Sequence, residues 1–201
     1  MMKKKIAITG GIGSGKSTLV KLIRKTGYDV YSCDAIYQKI INTKEYIDAI
    51  AKIFPSAVCS GIINKNLLAE IIFNDPAARE KLNNVAHPLI MHELEKHMQE
   101  GCGPLVFAEV PLLFECGFEK NFDGVIVVMR NDEQRIQSVA QRDNLTTEQV
   151  RKRIYAQVDY QSNNIKQRMQ QCNAFLIFNN GNLMRLEEQW TAFLEKQKQQ
   201  S

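Results

Sequence analysis

Eight consecutive residues, Gly10, Gly11, Ile12, Gly13, Ser14, Gly15, Lys16 and Ser17, fit G-x-x-x-x-G-K-[ST] and stand between an apolar run and an amphipathic stretch. That pattern suits a nucleoside triphosphate. Backbone N–H groups must turn inward around phosphate oxygens, in a nest that tolerates no Cβ at several positions, which is why Gly11, Gly13 and Gly15 recur around Ser14. Lys16 is expected to bridge the terminal phosphates and Ser17 to offer its hydroxyl to Mg²⁺. The N-terminus of the following helix, which includes Thr18, adds partial positive charge.

The strings that would make this a GTPase switch, D-x-x-G and N-K-x-D, do not occur; Asn64-Lys65-Asn66-Leu67 lacks the aspartate. A motor or helicase would usually be larger than 201 residues. A small-molecule kinase using ATP and Mg²⁺ fits best. Such an enzyme needs a group that takes the proton of an acceptor hydroxyl, and Asp34, directly after an expected strand, is placed for that. In open α/β sheets ligands gather at the carboxyl ends of the strands. Asp34 could equally cap a helix starting at Ala35.

The elements that must hold these residues alternate in period. Apolar runs at Lys4–Thr9, Tyr28–Ser32, Leu105–Val110, Gly124–Met129 and Phe175–Phe178 predict strands of a parallel sheet. Helical patterns at Ser17–Lys25, Ala35–Ile41, Asp132–Arg142, Thr147–Gln157 and Leu183–Gln197 supply its flanks. The expected fold is therefore α/β: a central parallel sheet flanked by helices, with an inserted helical lobe at about 44–101 and a lid at about 142–170, in one domain over 1–201. Within the lobe, helices are expected near Glu45–Phe54, Asn66–Phe73 and Pro76–Glu100, the last kinked or split at Pro88. The Gln/Lys-rich segment Glu195–Ser201 is expected to fray.

With these residues in place, the sequence resembles the dephospho-CoA kinase family over nearly its whole length. Ile8 to Thr18 is similar to that family's P-loop, Cys33-Asp34-Ala35 to the end of its D-A-D segment, and Ala86-His87-Pro88-Leu89-Ile90 to its H-P motif. Val110-Pro111-Leu112-Leu113-Phe114-Glu115 resembles P-L-L-x-E, Gln141-Arg142-Asp143 resembles Q-R-D, and Asn179-Asn180-Gly181 resembles N-x-G. The resemblance implies transfer of the ATP γ-phosphate to the ribose 3′-hydroxyl of dephospho-CoA, the last step of coenzyme A synthesis. It implies Asp34 as base, Lys16 and Arg142 as stabilising charges, and ATP on Gly11, Gly13, Ser14, Gly15, Lys16, Ser17, Thr18 and Asn179. Ser17 would be the Mg²⁺ ligand. The acceptor would meet His87, Pro111, Leu112, Leu113 and Glu115. Four residues depart from the family pattern: Ser32 for the first Asp of D-A-D, Lys65 for an Arg, Ser138 for an Arg four residues before Arg142, and Ala174 for an Asp.

Several residues have two readings. Glu109 could order Mg²⁺ waters or be a structural carboxylate, and His87 could touch substrate or simply pack. Asn179 and Gly181 could meet the adenine edge or form a plain turn. Arg151 and Arg153 could join Arg142 on phosphate or face water. His92 and His97 are five apart, about 140° around a helix, and so do not make the i, i+4 pair a zinc site needs.

Composition agrees with this reading. Net charge is 26 − 22 = +4, and 24% charged residues spread along the chain fall short of a nucleic-acid coat. The longest apolar run, Pro104–Phe114, is broken by Glu109, so no membrane span is expected. The apolar stretch after Lys5 is too short for a secretory signal, and five scattered cysteines without a C-x-x-C pair suggest reduced thiols. A cytoplasmic enzyme with no nucleic-acid, membrane or obligate protein partner is expected.

Overall fold

The computed structural model describes residues 3–199. The chain forms two compact units, one from the residues up to Tyr31 together with those from Gly101 onward, the other from Ser32–Glu100.

The first unit is built on a sheet whose strands are β1 (Lys4–Thr9), β2 (Val30–Ser32), β5 (Leu105–Glu109), β6 (Gly124–Met129) and β7 (Phe175–Phe178). Their order across the sheet is β2-β5-β1-β6-β7. β1 pairs in parallel with β5 on one side and β6 on the other, and β6 pairs in parallel with β7. Strands covered on both faces need apolar residues at successive positions. Accordingly Ile6, Ala7 and Ile8, Val106 to Ala108, and Val125 to Val128 are all fully or almost fully buried. One face packs Ile6, Ile8, Phe107, Ile126, Val128 and Ile177 against Leu19, Val20 and Ile23 of α1 (Lys16–Lys25) and against Leu186, Trp190 and Phe193 of α9 (Leu183–Gln199). Trp190 lies 5.4 Å from the Phe107 ring and donates its indole N–H to Thr26 Oγ1 at 3.1 Å. The chain reverses its direction of travel across the sheet at β1, so the carboxyl end of β1 is the place where such a sheet leaves a crevice.

Two further helices follow β6: α6 (Asp132–Asp143) and α7 (Thr147–Tyr155). They share a small apolar cluster of Ile136, Val139 and Val150, to which Ile12, Ala140, Leu145 and Ile154 add. A helix not expected from the sequence, α8 (Asn163–Gln171), is capped by Ser162 and buries only Ile165 and Met169. The segment expected to fray is helical as far as Gln199, because Phe193 is buried and Lys196 lies 5.8 Å over the Phe175 ring. Residues 200 and 201 of that segment lie outside the described residues.

The second unit holds α2 (Cys33–Ile40), α3 (Lys44–Ile53), α4 (Lys65–Asn74) and α5 (Pro76–Glu100), with a hairpin of β3 (Val58–Cys59) and β4 (Ile62–Ile63). Ser60 and Gly61 both have positive φ, 50° and 74°, as a two-residue hairpin turn requires. α5 runs unbroken through Pro88, so of the expected kink or split the split is corrected. An internal proline costs about 3 kcal/mol, and α5 offsets it by packing against α2, α3 and α4 together. Its buried residues Leu82, Ala86, Leu94 and Met98 lie on both sides of the proline.

Candidate active site

The chain leaves β1 at Thr9 and turns through the glycine-rich loop into α1. Gly10, Gly13 and Gly15 have φ of 145°, 75° and 88°, where an L side chain is strained. At Gly15 an added Cβ would also strike the Asn179 amide, and at Gly13 it would lie 2.8 Å from Val139 and 2.9 Å from the Arg135 carbonyl. The loop is thus packed from behind as well as curled. Gly15 sits at the N-cap of α1 without a side-chain cap, and the first turn carries no acidic residue. Its N–H groups remain suited to an anion. Lys16 Nζ donates to the carbonyls of Gly10 at 2.6 Å and Gly11 at 3.3 Å, which lays its charge along the start of the loop. Ser17 and Thr18 are exposed in the first helical turn. Ser14 Oγ is buried and has no hydrogen-bond partner, and a stranded buried hydroxyl suits a site that takes a polar ligand.

Side chains from three other elements hold this loop. Asn179, at the end of β7, is buried and donates Nδ2 to the Ser14 carbonyl at 3.1 Å. Gln157, after α7, accepts from Ile12 N at 2.6 Å. Arg135, on α6, donates Nε to the Ile12 carbonyl at 3.0 Å, and Arg130 Nη1 reaches Ser138 Oγ at 3.0 Å. Beside them opens a cleft of about 610 Å³, whose walls include Gly11, Ser14, Arg130, Arg135, Gln157 and Tyr160. The Tyr160 hydroxyl lies 3.3 Å from Thr9 Oγ1, and burial raises its pKa to about 12, so it stays protonated. We expect Gly15→Ala to strain the loop by about 1–2 kcal/mol and to lower the melting temperature by roughly 2–8 °C, with ATP affinity falling in parallel. Unchanged melting and binding would disprove this account of the loop.

The other sequence-derived residues divide between the two units. In the first, Glu115 accepts from Val158 N at 3.3 Å, which ties the Pro111–Glu115 stretch to the segment after α7. Leu112 is 45% exposed, whereas Leu113 is fully buried and anchors the loop. Glu109 ends β5 opposite Ile8. Arg142 stands in the last turn of α6 and is bound through Nε and Nη2 to Asp143 at 2.7 and 3.0 Å, with Arg153 on the same carboxylate at 3.2 Å. The Arg142 hydrogen bond holds the Asp143 carboxyl below its ordinary pKa. In the second unit, Asp34 is exposed in the first turn of α2, but the cap of that helix is Ser32, whose Oγ accepts from Ala35 N at 3.4 Å. The capping reading of Asp34 is therefore corrected. His87 is half-buried on α5, and burial lowers its pKa, favouring the neutral ring. His97 pairs with Glu93 at 3.3 Å, and among the described residues no three His, Cys, Asp or Glu side chains group as a metal site. Among the described residues the five cysteines form no disulfide.

Sequence reasoning missed Arg130, Arg135, Gln157 and Tyr160. A signal existed for Arg135: it lies seven residues, two helical turns, before Arg142 and so shares its face of α6.

A triphosphate cradle at the end of the central strand of a parallel sheet, without the switch motifs of a GTPase, defines a P-loop kinase. Residues 4–185 match the model of the dephospho-CoA kinase family. The chain belongs to that family. A dephospho-CoA kinase of Thermus thermophilus is 39% identical over 153 residues, 76% of this chain and 74% of that protein. A crystal structure of a Thermus thermophilus protein superposes with a TM-score of 0.81 at 34% identity, covering 98% of each chain. The dephospho-CoA kinase of Campylobacter jejuni gives 0.68 at 27% identity over the full length of both. A kinase of this family takes ATP as co-substrate, and no described helix is long and apolar enough to cross a membrane.

Proposed function

We infer that this chain transfers the γ-phosphoryl group of ATP to the ribose 3′-hydroxyl of dephospho-CoA, completing coenzyme A. The match to the family model across residues 4–185 carries the reading. In the transfer, the 3′ oxygen bonds to the γ-phosphorus as the bond to the β–γ bridging oxygen breaks and ADP departs. The hydroxyl proton passes to Asp34. Lys16 and the N–H groups of Gly11 to Thr18 hold the phosphates in line, and Arg142 adds positive charge as the group moves. Asn179 fixes the loop from behind through the Ser14 carbonyl.

Mg²⁺ takes hard oxygen donors, keeps several waters and needs only one or two protein ligands beside the phosphates. The exposed Ser17 hydroxyl, next to Lys16 on α1, fits that requirement. Bound there, the ion would neutralise charge on the phosphate oxygens.

The inserted helical segment at about 44–101 serves in this reading as the acceptor lobe, with His87 on its longest helix, and about 142–170 as the lid. Pro111 and Leu112 form a pocket wall braced by Leu113, with Glu115 organising the acceptor side. The enzyme works in the cytoplasm on small molecules and calls for no nucleic acid or protein partner. Coupled ADP-release assays with dephospho-CoA, adenosine and AMP test the reading. We expect turnover on dephospho-CoA to exceed the other two by at least about 10²-fold in kcat/KM, with phosphorus NMR placing the new phosphate on the 3′ oxygen. Equal use of AMP or adenosine would overturn the acceptor assignment.

A further inference from the structure

Arg135 stands in the first turn of α6 with its side chain only 15% exposed. Its planar head is fixed at two points: Nε donates to the Ile12 carbonyl at 3.0 Å, and Nη1 to Asp132 Oδ1 at 2.8 Å. Nη2 then lies against Gly11, where an added Cβ would collide with it. A guanidinium carries five donors in one plane, so a head held by these two acceptors presents its remaining N–H bonds in a fixed direction. Arg135 also lines the cleft together with Gly11 and Ser14. Two buried polar atoms on the same wall, Ser14 Oγ and Arg130 Nε, have no hydrogen-bond partner.

The position along the phosphate chain follows from Lys16. In a loop of this type the lysine reaches the β- and γ-phosphates, and Lys16 Nζ lies on the Gly10 and Gly11 carbonyls. The Gly10–Gly11 stretch is therefore the γ end of the cradle, and Gly11 is the residue that Arg135 covers. Arg142, seven residues further along α6, is about 10 Å away along the helix axis and is engaged with Asp143.

We propose that Arg135 contacts the γ-phosphate of bound ATP and stabilises its charge during transfer, a catalytic role beyond the residues named above. This inference rests on the kinase reading of the same loop. Asp132 and the Ile12 carbonyl act as positioning groups that hold the guanidinium plane. Charge on the transferred group is spread over its three equatorial oxygens in flight, and a preorganised donor at that end favours the transition state over the ground state.

The test compares wild type, Arg135→Ala and Arg135→Lys by calorimetric titration with ATP and with ADP, and by initial rates with dephospho-CoA. In Arg135→Ala the ratio of ATP to ADP affinity should fall by about tenfold or more, the loss of a charge-assisted contact to one phosphate, while ADP affinity stays within about threefold. Its kcat should drop by about 10² to 10³. Arg135→Lys should lie between the two. If ATP and ADP weaken together, if ADP binding is lost outright, if the ratio is unchanged, or if kcat stays within about threefold of wild type, Arg135 only braces the loop and the proposal fails. A wild-type protein that discriminates ATP from ADP but leaves dephospho-CoA unphosphorylated would instead overturn the acceptor assignment. The affinity ratio alone would then decide on Arg135.

Discussion

Replacing Lys16 by alanine should lower phosphoryl transfer by about three orders of magnitude, because the γ end of the cradle loses the one full charge supplied by the loop itself. The fold should survive. Lys16 is half-buried, and the bonds it makes to the Gly10 and Gly11 carbonyls join two parts of one short loop. The glycine conformations, the Asn179 bond to Ser14 and the Gln157 bond to Ile12 do not depend on it. Initial rates of ADP release, taken beside a thermal melt, provide the measurement. Lys16→Ala turning over at the wild-type rate would dismiss the loop as the phosphate site.

The second large effect concerns Asp34. If its carboxylate takes the 3′-hydroxyl proton, Asp34→Asn should cost about 10² to 10⁴ in kcat. The structure sharpens the control, since Ser32 rather than Asp34 caps α2. Neither Asp34→Asn nor Asp34→Ala removes a cap, so both should melt close to wild type. Ser32→Ala should instead cost about 0.5–2 kcal/mol of stability and leave kcat nearly intact. An Asp34→Asn enzyme with wild-type kcat would leave the reaction without its base. A kcat loss accompanied by an equal loss of stability would make Asp34 structural.

The strands were legible because a sheet buried on both faces writes itself as unbroken apolar runs: β1, β6 and β7 fall on the residues their sequence patterns predict. β2 is shorter at its start. At that start the Tyr28 ring enters the aromatic cluster beside Phe107 and Trp190, and the Asp29 carboxylate accepts from Cys102 N at 2.7 Å. α8 was invisible for the opposite reason. Asn163–Gln171 shows only Ile165 and Met169 as an apolar pair among polar residues, too little for a periodic signal. The hairpin of β3 and β4 has two residues in each strand, below the length at which alternation can be seen.

The site divides in the same way. The loop from Gly10 to Ser17 was legible because phosphate chemistry restricts residue type at fixed spacing. Its supports were not, since Gln157 and Tyr160 approach from 145 and 151 residues away and nothing local to them marks the contact. Arg130 and Arg135 read in sequence as ordinary charges at the start of a polar helix. The family departure at Ser138 gains a local explanation, because its small hydroxyl receives Arg130 Nη1. Ser32, the other departure with a visible role, acts as the helix cap.

Ile12 belongs to the phosphate loop and also to the apolar cluster that joins α6 to α7. The loop therefore shares its cohesion with a helix hairpin whose central residue, Val150, is fully buried. Loosening that hairpin would be felt at the nucleotide, and a bound nucleotide would tighten the hairpin by the same free energy, since linkage between two sites is reciprocal. Substitutions around Val150 that never touch a ligand would thus tune ATP affinity, and any engineered exchange of α7 would have to carry a matching residue at position 12. In this chain the phosphate loop and the helices beside it are joined through Ile12.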